Sequence, residues 1–465
     1  MTIKMKSPWT LLSTLMLVFS LLLAAAPASV AETVNPQSSE VSLEVLLNKI
    51  TALENEVKTL RENITILESR LDAVDDPAVP TSLVSKYDTL LKGVTRELVD
   101  GRDTLRFSGM NVQIVNGLGD TSTLDQLGLG NLIIGYNKSR MTVMPPLKPE
   151  LDLRAGSHNL ILGDYNNYEE DAFGGIIAGS YNQIGAPYAS VLGGESNKAV
   201  EAFASILGGN GNTASGKAAA ISGGASNTAK GSFSSVSGGF GNLSSGQYAL
   251  VAGGNKNSAS GLFTSILGGY SNTASGARAS VSGGQNNLAS GANASVTGGT
   301  NNLASGANAA VTGGDKNTAS GVSASVTGGL SNSASEVNAA VTGGLKNTAS
   351  GIEASVSGGV NNTASGAGAS VSGGQNNTAS GAHASVSGGD TNAASHRDAS
   401  VLGGYKNTAS GLASTISGGG TNKSAGTGTS VLGGGNNTAS GIGATVLGGE
   451  LQNALGWYSI EPMTE

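Results

Sequence analysis

The stretch ASVSGGQNNTASGAH, residues 369–383, decides how this chain is built. Variants of it recur with a fixed phase. From Val191 onward, Gly-Gly pairs begin at 193, 208, 223 and 238, then every fifteen residues to 448, giving eighteen coils without an insertion. Two residues before each pair stands Val or Ile, as at Val191, Ile206, Ile221, Val236, Val371 and Val386. Four residues after the first Gly stands Asn, as at Asn197, Asn212, Asn377 and Asn437, until Gln452 replaces it in the last coil. Ala usually follows two residues later, as at Ala214 and Ala379.

A fixed period of this length without helical spacing predicts a β-solenoid. In the quoted coil, strand alternation places Ala369, Val371 and Gly373 on one face of a first short strand, with Ser370 and Ser372 on the other. A second strand would turn Asn377, Ala379 and Gly381 inward and Thr378 and Ser380 outward. Gly373, Gly374 and Asn377 are the candidate corner residues: glycine admits tight turns, and stacked Asn can bond corner backbone and its counterparts in adjacent coils. The variable Gln375 and Asn376, like Asp315 and Lys316 elsewhere, are predicted to face solvent. The predicted core is a narrow column of mostly Val and Ala. Burying one Val contributes ~1.5–3 kcal/mol, while ordering fifteen residues costs on the order of 20 kcal/mol. A lone coil therefore cannot stand. At a spacing of ~4.8 Å, eighteen coils rise roughly 85 Å.

Composition supports a thin repeat. Glycine is 72 of 465 residues, aromatics are 4%, and charged residues are 12%, half the usual ~25%. Gly does not recur every third residue and Pro is scarce, which excludes collagen. The net charge of −7 comes mostly from the N-terminal half, and no basic patch points to nucleic acid. Cysteine is absent, excluding disulfides, thiolate metal sites and a cysteine nucleophile.

The N-terminal organisation differs. Lys4 and Lys6 precede an apolar run over residues 11–26, and Ala28-Ser29-Val30-Ala31 offers small residues for cleavage, so 1–31 is expected to be a secretory signal peptide. No second apolar span follows, so the mature chain is expected to have no membrane span. After a linker (32–42), a parallel coiled coil is expected over 43–76. Leu43, Ile50, Val57, Ile64 and Leu71 occupy a positions; Leu46, Leu53, Leu60, Leu67 and Val74 occupy d. Lys49 with Glu54, Glu56 with Arg61, and Arg70 with Asp75 are attractive pairs in a parallel, in-register assembly. β-Branched a residues with Leu at d favour two strands, whereas the stretches beginning at Lys49 and Arg70 match a trimer-specifying pattern in part; the residues leave the number open. Pro77 and Pro80 are expected to end the helix. Residues 77–106 are expected to be a second linker. Residues 107–190 are expected to form irregular coils with loop insertions, the longest at 138–154, with a first strand at 111–115. Regular repeats span 191–450, and 451–465, with Trp457 and Tyr458, would cap the open end.

Ser370-Val371-Ser372-Gly373-Gly374 resembles the Ser-Val-Ala-Ile-Gly repeat of the YadA-type head of trimeric autotransporter adhesins, at Ser, Val and the final Gly. Gly373 stands where that family has an inward Ile, and residues 131–135 and 159–163 are expected to keep an apolar residue there. The resemblance covers about three-quarters of the mature chain and implies a left-handed parallel β-roll, a trimer, and a surface or extracellular binding role. Two departures limit it. The heptads precede the roll here, and the family's alternating membrane-barrel strands are missing before Glu465.

No catalytic, cofactor-binding or metal-binding residue is expected. His158, His383 and His396 are scattered, and no serine-elbow motif or periodic Asp occurs. The phosphate-loop-like Gly418-Gly419-Gly420-Thr421-Asn422-Lys423-Ser424 lacks the Gly before Lys and lies in phase with the repeat. Gly128-Leu129-Gly130 lacks the third Gly of a dinucleotide fingerprint. The expected function is that of a secreted or cell-surface, rod-shaped, adhesin-like protein. Its expected partners are copies of itself and a host or surface macromolecule. The alternatives are a structural fibre or matrix subunit and an ice-binding protein. The last is suggested by a row of Thr (213, 228, 273, 318, 348, 363, 378, 408, 438) that Leu243, Leu288, Leu303 and Lys423 interrupt.

Overall fold

Three parallel ladders, rather than two, close each coil of the repeat. The computed structural model describes residues 43–74, 91–122, 128–140 and 152–462. In the quoted coil, Ser370–Val371 pairs in register with Ser355–Val356 before it and Ser385–Val386 after it. Thr378–Ala379 pairs likewise with Thr363–Ala364 and Ala393–Ala394. Between them, Gln375 makes single bridges to Val360 and Asp390. The ladders thus extend by one rung for every fifteen residues.

Inside lies one continuous hydrophobic column, from Ile161 to Ala454. The predicted core residues Val191, Ile206, Ile221, Val236, Val371, Val386 and Ala379 are all buried, together with Ala369 and Ala384. At two of the places where a hydroxyl residue replaces Ala in this column a local partner compensates: Ser244 Oγ donates to the Ala249 carbonyl at 2.9 Å, and Ser424 and Thr429 bond each other at 2.7 Å, whereas the buried Ser234 hydroxyl has no partner.

Asn377 sits at the base of the second corner, fully buried. Its Nδ2 donates to the carbonyls of Gly373 and of Gly389 in the next coil, both at 2.9 Å. Its Oδ1 accepts the N–H of Asn392 at 2.9 Å. One side chain therefore satisfies backbone groups of two coils, which is what a buried polar residue must do to be tolerated. The pattern repeats from Asn182 to Asn437.

Two glycines of the coil pack closely on the next one, and of these the position of Gly381 is held by Glu336 and His396 in other coils. Gly374 has φ +82°, and a Cβ there would overlap the Gly389 carbonyl oxygen. Gly381 is buried, and a Cβ there would overlap the backbone of His396. Gly373 behaves differently from expectation. It takes no left-handed φ, and a Cβ on it would meet nothing within 4 Å, so it does not face the core. The reason is that the first strand is only two residues long, and the alternation that would turn Gly373 inward stops after Val371. Nor do the coils at 131–135 and 159–163 keep an inward apolar residue in its place. Pairing aligns Ile161 with Ile177 and Ile177 with Val191. Left-handed backbone is also not confined to glycine, since Asn376 (φ 53°) and His383 (φ 57°) adopt it.

Upstream coils are built on the same plan with heavier residues. Strands β3 (Leu132–Ile134), β4 (Leu160–Asp164) and β6 (Ile176–Ser180) join the first ladder, while β5 (Asn167–Tyr168) and β7 (Gln183–Ile184) join the second. Arg140, from the start of the expected loop insertion, is buried and donates to the carbonyls of Tyr165 (2.7 Å), Tyr181 (2.6 Å) and Asn182 (2.8 Å). Residues 111–115 carry no strand, contrary to expectation. At the other end, residues 451–462 are one more coil rather than a cover. Asn453–Ala454 pairs with Thr438–Ala439 and Ile460–Glu461 with Thr445–Val446. Ala454 and Gly456 keep the phase of the repeat there, which leaves Trp457 and Tyr458 exposed at the outward corner.

The chain divides into two units, 1–112 and 113–465. In the first, helix α1 (Leu43–Val74) covers the heptads. The segment expected as a linker to residue 106 contains a hairpin of β1 (Val94–Val99) and β2 (Arg102–Phe107), turned through Asp100-Gly101 with both φ positive, at 49° and 75°. Such a two-residue turn matches the twist of the strands it joins. The expected signal peptide (1–31), the linker 32–42, Asp75, Pro77, Pro80 and the bulk of the 138–154 insertion lie outside the described residues.

Candidate binding surfaces

Helix α1 carries its apolar stripe without cover in this chain. Ile50, Leu53, Val57, Leu60, Ile64 and Leu67 are each between 46% and 61% exposed. Leu43, Leu46, Leu71 and Val74 fall within the same helix. Ile50, Leu53 and Val57 line a shallow groove with Glu54, Lys58 and Arg61 at its edge. An a/d stripe flanked by charge is the seam geometry of a helix that packs against another helix.

On the solenoid the outward columns differ in chemistry. Leu192, Leu207, Leu267, Leu402, Leu432 and Leu447 are exposed on one column, at positions filled in the middle of the stack by Ser, Thr and Ala. The Thr row stacks in register, as in the pairing of Thr363 with Thr378, and is half-buried. A third column, at the corner before each inward Ala, holds rings. Tyr188 stacks on Phe203 with centroids 5.2 Å apart and planes 14° from parallel. Phe233, Tyr248 and Phe263 continue at 5.1 and 4.8 Å, with planes 9° and 6° from parallel. The sequence held this signal as aromatics at fifteen-residue spacing, which the low overall aromatic content hides.

The scattered histidines stay apart. His383 and His396 are exposed, and His396 Nδ1 accepts the N–H of Arg397. His158 lines a cavity of about 320 Å³ with Gln113, Asn116, Asp120 and Thr121. The N–H and hydroxyl of Ser122, both 2.9 Å from Asp120 Oδ1, hold that carboxyl below the usual range. Among the described residues, no group of three or more His, Asp or Glu is placed to hold a metal ion. Likewise among them, no helix is long and apolar enough to cross a membrane. The phosphate-loop-like stretch is an ordinary corner: Asn422 is buried in the Asn ladder, and Lys423–Ser424 is a paired strand.

With this geometry established, comparison with known proteins adds no relative: no family model matches the chain, and no curated protein matches it.

Proposed function

We propose that this chain is a secreted or cell-surface, oligomeric, adhesin-like protein in which a non-catalytic solenoid displays a long surface and helix α1 gathers sister chains. The uncovered heptad seam is the observation that carries this. Six apolar side chains half-exposed in one stripe cost free energy in a monomer, and each would gain roughly 1 kcal/mol on full burial, about half of the value for a fully exposed side chain. Parallel copies of the same helix supply that burial and match the charges at its edges. The resemblance to YadA-type heads makes a trimer the expected assembly and an extracellular macromolecule the expected target. The exposed Leu and aromatic columns support a binding role, since contiguous exposed apolar groups on a soluble scaffold mark interaction surfaces.

Light scattering of the mature protein is the test. A trimer is expected; a monomer at micromolar concentration would overturn the assembly, and a dimer would keep the zipper but break the family resemblance. A structural fibre is the second reading. It is favoured by the last described coil, which exposes Leu451, Leu455, Trp457, Tyr458 and Ile460 where a cap was expected. Filaments in negative stain would support that reading over single rods.

A further inference from the structure

The corner column of rings has a missing rung. Tyr188 and Phe203 form one run, which Phe173, one residue before the column, meets edge-on at 5.2 Å, and Phe233, Tyr248 and Phe263 form a second. Between the runs the same position is Ala218, with the left-handed φ (53°) that its ring-bearing neighbours share. Rings in this column lean back over the preceding coil: the Tyr188 ring lies over the Cα of Gly174, and the Tyr458 ring over that of Gly443. Ala218 therefore sets a methyl group where the column would carry a ring between those of Phe203 and Phe233. Successive rungs are about 5 Å apart, so these two faces stand about 10 Å apart. A planar ring midway would lie about 5 Å from both centroids, within the 4.5–7 Å range of favourable aromatic pairs.

We propose that this gap is a binding slot for one aromatic side chain of a partner polypeptide. Three observations choose that occupant over a sugar ring. The rungs themselves show that the column accepts Phe and Tyr rings at 4.8–5.2 Å with nearly parallel planes. Both walls are Phe, which offers no hydroxyl to a sugar. The side chain of the vacant coil is a methyl group, which neither fills the slot nor bonds its contents. Both walls are exposed, Phe203 at 54% and Phe233 at 48%, so the slot is reachable from solvent. In a protein partner the ring would be a single anchor, of the kind that carries much of the energy of an interface. The slot is independent of whether the solenoid is an adhesin or a fibre.

The test labels the full protein with 4-fluorophenylalanine, assigns resonances with F203L and F233L, and titrates N-acetyltryptophanamide by fluorine NMR. The Phe203 and Phe233 signals are expected to shift together and saturate with one midpoint, on the order of millimolar for a lone ring. Phe107, Phe173 and Phe240 should hold still. Ala218→Phe should complete the ladder and abolish the response, and N-acetylleucinamide should give none. Shifts no larger at Phe203 and Phe233 than at Phe107, a response that survives Ala218→Phe, or an equal response to methyl glucoside would each overturn the proposal.

Discussion

Upstream and regular coils differ by one residue between the inward Ile or Val and the inward Asn, and that residue lengthens the fourteen-residue step from Ile177 to Val191 into the fifteen-residue period. From the inward Ile to the inward Asn is five residues upstream (Ile161 to Asn166, Ile177 to Asn182) and six in the regular coils (Val191 to Asn197, Val371 to Asn377). Upstream there is a single glycine, Gly163 or Gly179, both at φ 94°, where regular coils have a Gly-Gly pair of which only the second is left-handed. There the strand runs unbroken for five residues, as β4 and β6 pair from Leu160 with Ile176 to Asp164 with Ser180. In the regular coils it breaks into a two-residue strand and a single bridge. The junction shows the change directly: Ile177 pairs with Val191, fourteen residues on, but Ser180 bridges Glu195, fifteen on. The first glycine of each pair is thus an inserted residue, a bulge repeated in every coil. It bends the strand outward without entering the core, and its carbonyl takes over the Asn Nδ2 bond that Ala178 accepts upstream, so the Asn ladder continues across the junction.

Three substitutions would break or sharpen this contrast, each read by hydrogen exchange of the affected coil, because a long repeat array need not unfold in one step. Gly374→Ala should have the largest effect, costing about 3 kcal/mol: about 1–2 kcal/mol for the left-handed backbone and about 1–3 kcal/mol for overlap with the next coil. Gly373→Ala, one residue away, should stay within about 0.5 kcal/mol in a coil whose outer face is free. A reversed order of the two would rule out the bulge. Asn377→Ala should cost about 2–3 kcal/mol, because it strands the Gly373 carbonyl and the Asn392 N–H and leaves the Gly389 carbonyl only the Gln375 N–H. Its signature is faster exchange in two coils, whereas a packing defect would be confined to one. Deleting Gly373, a fourth change, should cost about 1 kcal/mol, since the junction at Ile177 already joins a short coil to a long one. Loss of protection across several coils would show that coil length, not the Asn ladder, sets the register.

Much of the solenoid was legible because its signals are periodic. Val371, Ala379 and Asn377 could be placed inward from spacing alone, and they are buried. Gly373 could not, because alternation assumes that a strand continues, and here it ends after two residues. The third ladder escaped notice because its residues, Gln375 and its equivalents, have no common side chain; only their backbone is shared. The hairpin at Asp100-Gly101 carried a plain turn signal that the surrounding charged residues obscured. Terminal Trp457 and Tyr458 suggested a cap by residue type, yet Ala454 and Gly456 keep the phase of the repeat, and phase prevailed. The heptads predicted the helix, while the ring column was hidden by reading aromatics as a total rather than by position.

Every junction in the regular stack joins backbone at one register, as where Ser370 meets Ser385 and Ala364 meets Ala379, even where the outward side chains differ, as at Thr378 and Ala393. Excising or duplicating any fifteen consecutive residues between 191 and 450 therefore reconnects faces that already match. Such a change alters reach by about 4.8 Å and little else. The gene can lengthen or shorten this molecule like a ruler cut at its own gradations.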